Sequence, residues 1–301
     1  MTDEVAFSWR EAEEDLMDGL DTRVPHSART WSYWLGGKDF YLIDQQAGDQ
    51  VAEVFPGIFH EARSSRYFLA RAVRYLAAEA RIRQFLDIGA GLPSVDNTHT
   101  IAQQVAPECR VVYADNDALV MAHARALLTS DTVDSTGYVQ ADLRDTATIV
   151  TEAADTLDLA EPVAVIFSHV LGHIPGDRDA CTPVARLMDA VPAGSYLVAS
   201  DGTDANPAYV AAMRRYEQTG AAPYRLRSPQ QVARFFDGLE LDGPGVVPYN
   251  AWRPDPCPFG PAGTGGVGGV ARKPGKKSAR HAVEPGPPAH LAVIHGADEK
   301  R

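Results

Sequence analysis

Apolar residues recur along this chain with two periods. From 60 to 84, Leu69, Ala72, Val73, Leu76 and Ala80 step by three and four, the pattern of a helix with one buried face. Arg63, Arg66, Arg71, Arg74 and Arg81 fall mostly off that stripe and read as a solvated face. Beyond it, short apolar runs at 84–88, 110–114, 137–140, 163–168 and 195–200 read as strands. Helical stretches fill 97–106, 117–128, 145–156, 179–190 and 206–220. Strands separated by helices imply right-handed crossovers and a mainly parallel sheet, hence an α/β fold. Segment 229–238 reads as another helix, with Val232, Phe235 and Phe236 on one side; 245–249 and 266–271 read as a closing hairpin.

The flanks break the pattern. Residues 1–21 hold eight Asp/Glu against one Arg and read as a mobile acidic start. Residues 22–60 mix aromatics, basic residues and glycines without one period, which suggests short helices folded as a cap or lid over something else. Residues 61–272 form the expected main domain. Residues 273–301, rich in Gly, Pro and Lys, read as a mostly disordered basic tail.

Composition narrows the partners. The net charge is -12, and residues 272–301 carry +4 of it, leaving -16 on the body. An acidic body repels phosphate backbones, so nucleic acid is an unfavourable substrate. No apolar run is long enough to span a bilayer and no signal peptide is visible, which fits a cytoplasmic protein. Cys109, Cys181 and Cys257 are widely spaced, so neither a disulfide framework nor a metal knuckle is expected.

The chemistry concentrates at strand ends. Phe85-Leu86-Asp87-Ile88-Gly89-Ala90-Gly91 is a buried strand running into a carboxylate and a glycine turn, the place where open α/β sheets bind nucleotide-like ligands. Gly89 and Gly91 allow close backbone approach, and Asp87 can accept from an ammonium group. Asp115, 24 residues past Gly91, suits two ribose hydroxyls. Asp142 can accept from an exocyclic amine, with Leu143 against a purine face. Such a site poorly serves a diphosphate and well serves a cationic ligand bearing a ribose. Asp117 either caps the next helix or joins the site. After the fourth strand come Ser168, His169 and His173. His169 reads as a general base, a pocket wall or a substrate contact. The i, i+4 pair His169/His173 lacks the glutamate of a zinc motif, so no metal is expected. Gly36-Gly37-Lys38 lacks the flanking residues of a P-loop. Trp31, Trp34 and Phe40 also suit plain core positions.

These strand ends resemble the first three motifs of class I S-adenosylmethionine-dependent methyltransferases. The likeness is closer to the actinobacterial S-adenosyl methyltransferase family once described as a domain of unknown function. It is carried by PHSARTWSYWLGGKDFY at 25–41, ARSSRYFLARAVRYL at 62–76, RQFLDIGAGLPS at 83–94, VVYADND at 111–117, FSHVLGHIP at 167–175 and WRP at 252–254. The resemblance implies a Rossmann-like class I methyltransferase fold: a mainly parallel seven-stranded sheet with an antiparallel last strand, plus an N-terminal helical cap. It implies S-adenosylmethionine held by Asp87, Gly89, Ala90 and Gly91 at the methionyl part, by Asp115 with Asn116 at the ribose, and by Asp142 with Leu143 at the adenine. Read as a lid over this cofactor, segment 25–41 would bring Arg29 or Lys38 near the methionine carboxylate and Tyr33 near the reactive end, and the end of the fourth strand would put Ser168 and His169 near the sulfonium. Pro93 stands where the common turn has a third glycine, Ser32 where the family usually has Asp, and Arg63-Ser64-Ser65-Arg66 lacks its usual Asn. The implied activity is in-line methyl transfer to a small-molecule acceptor. A cofactor-binding regulator without turnover and a nicotinamide-dependent oxidoreductase are the alternatives; the second is weakened by Pro93 and Ser94 in the turn.

Overall fold

The computed structural model describes residues 23–93, 96–127, 135–255 and 265–275. The acidic start and nearly all of the basic tail lie outside the described residues. Three helices come first: α1 (Ser27–Leu35), α2 (Leu42–Val54) and α3 (Ile58–Ala78). Alternating strands and helices follow: β1 (Gln84–Ile88), α4 (Thr98–Val105), β2 (Arg110–Asp115), α5 (Ala118–Leu127), β3 (Thr136–Gln140), α6 (Thr146–Ala153) and β4 (Ala164–Ser168). The chain continues through α7 (Asp177–Ala190), β5 (Tyr196–Gly202), α8 (Pro207–Glu217), α9 (Pro229–Ala233), β6 (Glu240–Leu241), β7 (Val247–Pro248) and β8 (Gly266–Arg272).

One sheet runs in the order β3-β2-β1-β4-β5-β8-β6, with β7 also paired to β8. Strands β1 to β5 are parallel, and β8 enters antiparallel beside β5, from Tyr196↔Arg272 to Gly202↔Gly266. The expected hairpin partner of the last strand is split. Glu240 and Leu241 pair with Arg272 and Ala271, then Val247 and Pro248 pair with Gly268 and Val267. Gly243, Pro244 and Gly245 explain the gap, because both glycines take positive φ and proline cannot donate to a ladder. Seven positions across the sheet therefore hold eight strands. Segment 229–238 likewise shortens to α9 and a 3-10 turn.

Strand alternation sorts the core into two layers. Phe85, Val111, Tyr113 and Ile166 face α3 and α4, while Leu86, Ile88, Val112 and Phe167 face the opposite layer. Asp87 shares the parity of Phe85, so its carboxylate points toward α3 and α4. Between β1 and β4 the winding reverses, which opens a crevice at the strand ends. A third cluster joins Trp34, Val51, Ile58 and Ala62 of the first helices to Tyr209, Met213 and Tyr216 of α8. It holds the N-terminal helices across that crevice. Among the described residues, no helix is long and apolar enough to cross a membrane.

Arg29 belongs to this framework. The fully buried Asp44 accepts from Arg29 Nε at 2.7 Å and from the backbone N–H groups of His26 and Tyr41 at 2.8 Å each. Arg29 also donates to the Val24 carbonyl. Removing one partner strands the other charge in the interior. Arg29→Ala is therefore expected to lower unfolding free energy by about 3–5 kcal/mol in urea titration. Lys38→Ala, at an exposed position, is expected to change it by less than about 0.5 kcal/mol.

Candidate active site

A cavity of about 690 Å³ opens at the ends of β1, β2 and β4 beneath α1. One half is lined by Asp87, Gly89, Gly91, Asp115, Asp142 and Leu143, with Ala90 and Asn116 between them. Ser168 and His169 mark the boundary, and the other half is walled by Trp31, Trp34, Tyr216, Tyr224 and His173.

Each carboxylate in the first half is partly satisfied. Asp115 Oδ2 accepts from Gly91 N and Oδ1 from Asp117 N, both at 3.0 Å. Among the described residues, one lone pair remains on each oxygen. Burial pushes its pKa up. Asp87 accepts from Thr98 Oγ1 at 2.6 Å. Burial raises its pKa to about 6 against the opposing pull of Thr98 and Arg66. Asp142 is more engaged. Its Oδ1 accepts from Arg144 N and Nε, both at 2.8 Å, and its Oδ2 from Nη2 at 2.6 Å. The Arg144 side chain holds its pKa down, and one acceptor site is left on Oδ2. Gly89 has φ of 69°, and a Cβ there would lie 2.3 Å from Val170 Cγ2. Gly91 has φ of 64°, so the turn needs glycine at both positions.

The structure does not bring three predicted residues here. Arg29 is spent on Asp44. Lys38 is exposed and does not line the cavity. Tyr33 donates to Asp49 and packs edge-on against Phe40 and Phe59. It sits two residues from Trp31, which turns it away from the cavity wall. Arg63, Arg66 and Arg144 line the cavity instead; Arg144 is engaged by Asp142, and Arg66 is the one next to Asp87. Its Nη2 donates to the Asp96 carbonyl at 2.9 Å and to Asn97 Oδ1 at 3.4 Å, while its buried Nε has no partner. The solvated reading of the α3 arginines is thus corrected for Arg66. It is corrected for Arg71 too, which donates to the Tyr249 and Trp252 carbonyls. The signal was present in sequence: Arg66 lies three before Leu69 and seven before Val73, on the apolar stripe. Asp117 both caps α5, through Leu119 N, and meets His26 Nε2 at 3.0 Å, latching the cap to the β2 end.

His169 sits in a buried chain that the sequence did not disclose. Its φ of 55° is rare for a non-glycine residue and costs roughly 1–3 kcal/mol. Tyr224 OH donates to Asp201, so with Asp201 ionised beside Arg227 it accepts from His169 Nδ1 at 3.1 Å. Nε2 then accepts from Tyr249 OH at 2.7 Å. Burial raises Asp201 to about 7 and drives His169 down to about 3. The Trp31 ring covers His169 at 4.5 Å between centroids. Ser168 Oγ pairs with Ser200 Oγ at 3.2 Å. Among the described residues, no cluster of His, Cys, Asp and Glu is arranged for a metal ion.

The family model for S-adenosyl methyltransferases matches residues 13–274. Two solved structures are similar over almost their whole lengths. A DUF574 family protein from Streptomyces avermitilis MA-4680 is 43% identical, with 84% of this chain and 99% of that chain covered and a TM-score of 0.80. A candidate methyltransferase from Thermobifida fusca YX is 36% identical, with coverage of 85% and 97% and a TM-score of 0.78. An O-methyltransferase family protein from Burkholderia thailandensis is 13% identical, covers 89% of this chain and 71% of its own, and shares the fold alone at a TM-score of 0.50. No curated protein matches the chain.

The chain through His169 fixes its protonation. The ring is expected to stay neutral from about pH 5 to 8, with the proton on Nδ1 at the alkaline end, as read by ¹⁵N chemical shifts. A midpoint near the ordinary imidazole value would contradict this.

Proposed function

The chain belongs to the S-adenosyl methyltransferase family, and on that premise we propose that Asp87, Asp115, Asp142 and Arg66 hold S-adenosylmethionine for methyl transfer to a small molecule in the aromatic half of the cavity. It is an S-adenosylmethionine-dependent methyltransferase by family, which speaks against the nicotinamide-dependent alternative. When bound, the sulfonium supplies an electrophilic methyl group.

The observation that carries the site assignment is Asp115. Its two unfilled lone pairs, one per oxygen, match a pair of ribose hydroxyls. Asp87 faces an ammonium group, and the orphan Nε of Arg66 supplies the donor that a neighbouring carboxylate requires. The last acceptor site on Asp142 Oδ2 suits an exocyclic amine, with Leu143 beside the ring. Gly89, Ala90 and Gly91 let the backbone approach, Asn116 flanks the ribose, and Ser168 closes the floor. These roles reassign the methionine carboxylate from Arg29 or Lys38 to Arg66. They leave Tyr33 outside the chemistry. His169 becomes a wall, because both its nitrogens are occupied and its basicity is low. The acceptor is small because the aromatic half is roofed by α1 and α8.

Calorimetry with S-adenosylhomocysteine tests this. Asp115→Ala removes two hydrogen bonds to a charged group, about 1.5–3 kcal/mol each. Affinity is expected to drop at least roughly tenfold. Arg66→Met is expected to weaken binding as well, and Lys38→Ala to leave it unchanged. Ligand ammonium favours ionised Asp87, so binding releases protons where that group is otherwise protonated. Affinity should therefore decline as pH falls through about 6, and Asp87→Asn should flatten the profile.

A further inference from the structure

His169 and His173 line the aromatic half, with His26 also on the cavity wall, and the first two differ in what their nitrogens have left to give. His169 is held at both by Tyr224 and Tyr249. His173 sits on the 3-10 turn Leu171–His173 with Nδ1 3.1 Å from the Pro223 carbonyl oxygen. A carbonyl oxygen only accepts, so Nδ1 carries the proton and Nε2 carries the lone pair. The edge of Tyr224 packs on the ring, 5.2 Å between centroids at 83°, and holds its plane. Burial and the nearby His26 lower the pKa of His173, so the ring keeps its lone pair at neutral pH. His26 and His169 are the titratable groups that face it, and His26 is itself turned to Asp117.

The surroundings select the acceptor. Trp31, Trp34, Ile174 and Pro223 present flat or apolar walls. The carboxylates lining the cavity, Asp87, Asp96, Asp115 and Asp142, all belong to the ends of β1, β2 and β3 and the loops after them. Among the described residues that line the cavity, an ammonium acceptor finds no carboxylate on the elements that carry His173 and the aromatic walls. A neutral planar hydroxylated ring finds stacking faces and, at His173 Nε2, a lone pair to take its proton; His26 Nδ1 is also without a partner, but it is buried and its ring is turned to Asp117.

We propose that His173 Nε2 is the general base of this enzyme and that its acceptors are phenols. The O–H bond breaks and its proton goes to Nε2. An oxygen lone pair forms the new O–CH₃ bond, and the C–S bond breaks with its electron pair kept by sulfur. The products are an aryl methyl ether and S-adenosylhomocysteine, and the imidazolium then returns its proton to water. This rests on the methyltransferase site described above.

The test uses the full chain, S-adenosylhomocysteine and 4-nitrophenol, whose neutral and ionised forms absorb at different wavelengths. At a pH well below the pKa of free 4-nitrophenol, where little of it is ionised in buffer, it is expected to bind with an ionised fraction several-fold above that in buffer at the same pH. His173→Asn keeps a donor toward Pro223 and removes the basic nitrogen. It is expected to lose that excess while binding S-adenosylhomocysteine as tightly as before. In the unaltered protein, the ¹⁵N shift of His173 Nε2 is expected to move to its protonated position on the same addition. An excess that survives H173N, a shift that stays put, or no binding of 4-nitrophenol although S-adenosylhomocysteine binds, each overturns the proposal. Failure of the unaltered protein to bind S-adenosylhomocysteine would overturn the cofactor site instead.

Discussion

A carboxylate at the mouth of a buried strand has to find donors, and the arrangement of this active site follows from how many it finds. Asp115 receives two backbone N–H groups and, among the described residues, keeps two lone pairs. Asp87 receives one hydroxyl and lies near an arginine whose Nε is itself short of a partner. Their pKa values are raised because burial leaves each short of donors. That deficit costs stability, and in the proposed binding mode the hydroxyls and ammonium group of the ligand would relieve it. The same logic separates Asp142, on a more exposed turn, where Arg144 already fills most of the carboxylate.

The aromatic half is tied together internally. There Asp201, Tyr224, His169 and Tyr249 form one continuous hydrogen-bonded series with Arg227 beside Asp201, although Asp201 Oδ2 and Arg227 Nε have no hydrogen-bond partner. At the other end, Arg71 of α3 grips the carbonyls of Tyr249 and Trp252, so the turn that carries Tyr249 is set by the same helix that sends Arg66 toward Asp87. Helix α3 thus organises both halves. The strained backbone at His169 is tolerated because both its ring nitrogens and its N–H, which donates to Ser200 O, are tied down.

Local pattern alone determined the alternation of strands and helices, the parallel core of the sheet and the carboxylates at the ends of β1, β2 and β3, because period and strand-end chemistry are properties of neighbouring residues. It also carried the family resemblance. It misjudged Arg29, Lys38 and Tyr33, which lie in a distinctive motif yet serve the framework or solvent. It also set Arg66 aside as surface, although that residue shares the apolar stripe of α3. Tertiary structure decided which cations reach the cavity, which nitrogen of His173 keeps a lone pair, and how the last strand position is divided between β6 and β7. Those choices depend on partners far away in sequence, such as Asp44, Pro223, Tyr249 and Asp201. A hydrogen bond is settled by where its second atom stands, and no local period contains that information.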